Sequence, residues 1–137
     1  MTIWDEIKSS FRLGSNLTRL IYINLGVFLL FGLLRVFLFL SASSSGWITG
    51  FMAVPANLQS LMVRPWTIVT YMFYHEDFLH ILFNLLWLYW FGQLFLQFFA
   101  QRQLTWVYLL GGISGALLYI LAFNLLPPFK GYAEVSL

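Results

Sequence analysis

A chain of 137 residues that is 61% hydrophobic, 20% aromatic and only 9% charged is too apolar for a soluble domain of its length and needs a lipid-facing surface. It has no cysteine, which excludes disulfides, thiol nucleophiles and cysteine-ligated metals and leaves two histidines as the candidate bases. The net charge of +2 comes from basic residues scattered singly at the ends of apolar runs, a membrane-topology pattern and not a nucleic-acid-binding face.

Residues 1–19 mix Asp5, Glu6, Lys8 and Arg12 with Ile3, Trp4, Ile7 and Phe11 near helical spacing. This predicts a helix lying on the cytoplasmic membrane surface, with a frayed polar tail as the other reading. No small-residue cleavage site follows the apolar run that begins at Leu20, which argues against a cleaved signal peptide. Residues 20–40 are the first predicted span, long enough to cross a ~30 Å hydrocarbon layer. Asn24 and Arg35 are its only strongly polar side chains, and Arg35, near the outer end, can snorkel to the headgroups or face a protein interior, of which snorkelling is the favoured expectation.

Residues 41–77 form a long outer loop, with a serine run followed by Trp47, Phe51, Met52, Pro55, Leu58, Leu61, Met62, Pro65 and Trp66. Too apolar for disorder and too long for an idle connection, it is expected to lie partly in the outer interface, anchored by its tryptophans. Residues 78–99 and 103–126 are the second and third spans, an antiparallel hairpin turning at Ala100, Gln101 and Arg102. Pro127 and Pro128 stop the third helix, and residues 130–137 read as a short polar tail. Lys8, Arg12, Arg19 and Arg102 fall on one side, and Arg64 and Lys130 with Glu76, Asp77 and Glu134 on the other. The positive-inside rule therefore places the N-terminus in the cytoplasm.

The chemistry-bearing stretch opens the second span: His75, then His80 and Asn84. The last two are four apart and share a helix face. Polar groups on one face of a membrane helix are costly unless they meet protein or a water-filled cavity. The pair can donate to a developing oxyanion, or it can bond a neighbouring helix as interhelical glue.

The stretch from Arg64-Pro-Trp66 through His75, His80 and Asn84 to Phe91-Gly92 resembles the signature of rhomboid intramembrane serine proteases. The resemblance implies an all-α membrane protein: three transmembrane helices of a rhomboid-like bundle with a long interfacial first loop, residues 20–137 forming part of the domain. It also implies that His80 and Asn84 stabilise the oxyanion and that His75 has a supporting role. Two departures stand out. The family's loop usually pairs tryptophan directly with arginine, whereas Thr67 follows Trp66 here and the arginine, Arg64, comes two places earlier. Leu96 replaces a glutamate found in many relatives.

Rhomboids carry the nucleophile in a Gly-x-Ser-Gly motif on the fourth helix and the base histidine on the sixth. Gly112-Ile-Ser114-Gly115 has those letters, but on the third span, about two helical turns deeper than His80, too far for donors that must lie ~3 Å from the reacting atom. Gly111, Ser114 and Gly115 are instead expected to serve packing, Gly111 and Gly115 as a small-xxx-small contact, with Gly112 and Ala116 repeating the spacing.

The resulting expectation is an intramembrane serine endopeptidase cleaving transmembrane segments of membrane proteins. Its N-terminal part is present here, without the nucleophile serine and base histidine, and is inactive alone. Its expected partners are substrate transmembrane helices and the lipid bilayer, with no nucleic acid, metal or cofactor, in a bacterial inner membrane. The alternatives are a non-catalytic rhomboid-like protein that binds transmembrane helices and a small pore subunit, the latter without the inverted repeats or midplane breaks that would support it.

Overall fold

The computed structural model describes residues 2–129; the tail 130–137, with Lys130 and Glu134 of the charge pattern, lies outside the described residues. Every regular element among the described residues is helical. Helix α1 (Ile3–Leu13) starts in a capping box: the Thr2 hydroxyl accepts the Asp5 amide at 3.2 Å, and the Asp5 carboxylate takes the Thr2 amide at 3.0 Å. The first segment is thus a helix and not a frayed tail. It stops at Gly14, where Arg19 donates to the Phe11 and Arg12 carbonyls at 3.1 and 2.9 Å and satisfies part of its last turn.

Helices α2 (Asn16–Leu40), α6 (Phe78–Leu96) and α7 (Gln101–Leu125) are each long and apolar enough to cross a membrane, and the chain is a multi-pass integral membrane protein. Caps set their ends. Ser15 accepts from the Thr18 amide, so α2 begins before Leu20. Asp77 accepts from the Leu79 amide at 3.1 Å and opens α6. Gln103 reaches back to the Ala100 amide at 2.8 Å and opens α7 earlier than residue 103.

Few span residues are buried: Leu17, Leu20 and Asn24 in α2, Ile81 and Gly92 in α6, and Leu104, Ala116 and Ile120 in α7. So large an exposed apolar surface suits lipid and not water. Helices α2 and α6 pack tightly at Leu17 and Gly92, where a Cβ on the glycine would fall 2.5 Å from Leu17 Cδ1. Helices α2 and α7 are joined through Asn16, whose side-chain Nδ2 donates to the Gln101 carbonyl at 3.2 Å and the Thr105 hydroxyl at 3.0 Å.

Between α2 and α6 the loop folds into α3 (Gly46–Met52), α4 (Leu58–Val63), α5 (Thr67–Thr70) and a 3₁₀ turn at Tyr71–Phe73. The deepest burial in the molecule lies in this loop, at Ile48, Pro55, Ala56 and Thr67. A helix end leaves carbonyls without intrahelical partners, and three consecutive ones at the end of α3 are taken by one downstream stretch. Arg64 donates to Gly50, the Trp66 indole to Phe51 at 3.0 Å, and the Thr70 hydroxyl to Met52 at 3.0 Å. The shifted arginine therefore anchors the loop alongside Trp66.

The loop also extends along much of α7. Asn124 donates to the Ala56 carbonyl at 2.8 Å, and Tyr108 to the Met72 carbonyl at 3.5 Å, two points separated by about 24 Å of helix. Irregular backbone is tolerated at such depth only where protein satisfies it. Arg35 does not snorkel. It pairs with Glu76 and donates to the hydroxyls of Tyr74 and Thr49, tying α2 to both ends of the loop, because a fixed carboxylate and two hydroxyls stand within reach.

Candidate active site

Because Asp77 caps α6, His80 and Asn84 sit in its first two turns on one face. That face borders an open cavity of 380 Å³ between the loop, α2, α6 and α7, whose polar lining is Asn24, Tyr71, Tyr74, His75, His80, Asn84 and Tyr108. Both histidines thus reach one cavity, their rings edge to face with centroids 5.2 Å apart.

The sequence pairs Asn84 with His80; the structure bonds it to His75, with Asn84 Nδ2 2.8 Å from His75 Nε2. An amide nitrogen can only donate, so Nε2 must accept and the proton belongs on Nδ1, which stands 3.3 Å from the Phe73 carbonyl. Burial holds the His75 pKa below the usual histidine value; the bond to the Phe73 carbonyl opposes that shift, and the nearby His80 adds to it. The neutral ring is the form that can accept from Asn84. One of the two Asn84 N–H groups is committed to this bond, leaving the second for the cavity, beside the exposed His80.

Beneath them lies a second polar layer. Asn24, buried in α2, donates to the Leu20 carbonyl at 2.8 Å and to the Tyr108 hydroxyl at 3.0 Å. Tyr71 donates to the Gly112 carbonyl, and Met72 packs so closely that a Cβ on Gly112 would meet its Cε at 2.2 Å. Asn24 was visible in the sequence as a polar residue in an apolar span; Tyr71 and Tyr108 carried no signal beyond being aromatic in an aromatic-rich chain.

Ser114 is exposed and does not line the cavity. The small-residue packing of α7 differs from the expected Gly111–Gly115 pair. Gly112 and Gly115 meet Met72 and Tyr71 of the loop, whereas nothing lies within 4 Å of a Cβ placed at Gly111. The loop, not another span, lies against this part of α7. Among the described residues no three His, Asp or Glu side chains come together as metal ligands would.

The model of the Rhomboid domain matches residues 62–135, more than half of the chain, from the end of α4 through the cavity-lining part of α6 and all of α7. The chain belongs to the rhomboid family. No curated protein and no solved structure matches it. The rhomboid match covers the histidines, Asn84 and the loop segment that reaches Tyr108, and the site lies wholly within it except for Asn24 on α2.

Proposed function

We propose that this chain supplies the oxyanion-binding wall and substrate-facing loop of a rhomboid-type intramembrane serine endopeptidase. The observation that supports this reading best is the convergence of His80 and Asn84 on one cavity, with the Asn84 amide oriented by neutral His75. When a serine oxygen attacks a scissile carbonyl, negative charge develops on the carbonyl oxygen. A preoriented N–H from Asn84 and another from His80 stabilise that charge at no reorganisation cost, and loss of one such donor typically lowers kcat ~10²–10³-fold.

In this reading the α1 end faces the cytoplasm of a bacterial cell, following the distribution of Lys8, Arg12, Arg19 and Arg102. The loop faces outward and the scissile bond enters from the membrane plane. Both histidines of the 137 residues are used in the oxyanion wall, and Ser114 lies outside the cavity, so nucleophile and base come from elsewhere and the chain alone does not cleave.

The test is a cleavage-competent protein containing this chain, reconstituted in vesicles with a single-span substrate and a fluorophosphonate serine probe. Cleavage that falls at least a hundredfold in Asn84→Ala, with probe labelling retained, supports the reading. Labelling and cleavage absent from every protein that contains the chain overturn it and favour a non-catalytic protein that binds transmembrane helices.

A further inference from the structure

On the face of α2 opposite Asn24, α1 and α2 leave a groove of 590 Å³ between them. Trp4, Ile7 and Phe11 of α1 face Leu25, Gly26 and Leu29 of α2 across it. Its floor is open because nothing lies within 4 Å of a Cβ placed on Gly26. From Tyr22 to Leu29 the groove follows α2 for about 10 Å. Lys8 and Arg12, one helical turn apart on α1, also line it.

Of the other charges at the α1 end of the bundle, Glu6 and Arg102 do not line the groove, and two more are held by protein. Asp5 closes the capping box with Thr2, and Arg19 holds the carbonyls of Phe11 and Arg12. Among the described residues the ion pair is Arg35 with Glu76, far from Lys8 and Arg12. An apolar trough with two cations at its edge matches a molecule that is apolar along its length and anionic at its head. A transmembrane helix of apolar side chains would leave both cations unanswered, and free phosphate would leave the trough empty.

We propose that this groove binds one anionic phospholipid, with an acyl chain against Gly26 and the headgroup phosphate at Lys8 and Arg12. The inference is independent of catalysis. It predicts selective retention of lipid during purification, beyond the general attraction of a basic surface for an anionic bilayer.

The full chain in mild detergent is titrated with phosphatidylglycerol or phosphatidylcholine of the same acyl composition, and bound lipid is counted by native mass spectrometry. Each basic residue near an anionic headgroup contributes enough for phosphatidylglycerol to be preferred on the order of tenfold. The double variant Lys8→Gln/Arg12→Gln removes that preference, while Arg102→Gln, at the same end but outside the groove, keeps it. Gly26→Leu, with helicity checked by circular dichroism, reduces retention of both lipids; if it loses helicity, Leu29→Trp blocks the same groove from its inner end. Equal retention of the two lipids by the unaltered chain overturns the proposal. So does a preference that survives the double variant or falls equally with Arg102→Gln.

Discussion

Asn84 Nδ2 stands 2.8 Å from His75 Nε2, so the first histidine of the stretch sets the orientation of the asparagine on the second turn of α6. In the proposed enzyme His75 is a positioning residue: it touches Asn84 and not the reacting carbonyl.

Replacing His75 by alanine frees the Asn84 amide. In a cleavage-competent protein containing this chain, His75→Ala is expected to lower kcat about tenfold with KM little changed, the worth of one oriented hydrogen bond. His75→Gln, which keeps an acceptor, restores part of the loss. An unchanged kcat in His75→Ala would sink the positioning role.

The depressed His75 pKa makes the fold sensitive to acid in a defined direction. The folded chain holds His75 neutral below the ordinary value of 6.5, while the unfolded chain takes up a proton there. Stability is therefore complete above about pH 6.5 and declines as pH falls through the lower folded value. Thermal unfolding in detergent between pH 8 and pH 5 should show a drop that is reduced in His75→Asn, because that variant has no ring to protonate.

Arg35 joins α2 to Thr49, Tyr74 and Glu76. Glu76 is half exposed, and its carboxyl is held below the usual carboxylate range by the Thr49 hydroxyl first, with Tyr74 and Arg35 contributing. Arg35→Met is expected to cost about 1–3 kcal/mol, mainly through hydrogen bonds lost to the two hydroxyls, since an exposed ion pair adds little. Limited proteolysis should then cut the loop near Ser43–Ser45 more readily. Resistance equal to that of the unaltered chain would count against the tie.

Gly92 of α6 packs directly against Leu17 of α2. Gly92→Ala puts a methyl against Leu17 and is expected to destabilise the chain by about 1–3 kcal/mol. Leu17→Ala removes the obstructing side chain, so the double variant should be less unstable than the sum of the two single changes. Additive losses in thermal unfolding would show that the two helices are held apart by something else.

Ser114→Ala is expected to leave cleavage within about twofold and stability within about 0.5 kcal/mol, as for an exposed position away from any site. A hundredfold loss of cleavage would instead make Ser114 the nucleophile.

The three spans were legible because length and unbroken apolarity decide membrane crossing by themselves. That His80 and Asn84 share a helix face was legible from their four-residue spacing; an oxyanion role for them came only from the rhomboid resemblance. The partner of Asn84 was not: His75 lies before the helix starts, where the chain path and not periodicity decides which groups meet. For Arg35, depth alone favours snorkelling over the protein-facing alternative, and the Glu76 that decides for protein comes from the far end of the loop. Gly111 and Gly115 followed a spacing rule for helix pairs, yet it was Tyr71 and Met72 of the loop that came against α7.

The three side chains that close the end of α3 have a consequence for biogenesis. A stretch of loop backbone cannot leave water while its carbonyls are unpaired, and Gly50, Phe51 and Met52 are paired only once Arg64, Trp66 and Thr70 have been synthesised and folded back. The end of α3 therefore has no complete set of protein partners until the growing polypeptide reaches Thr70.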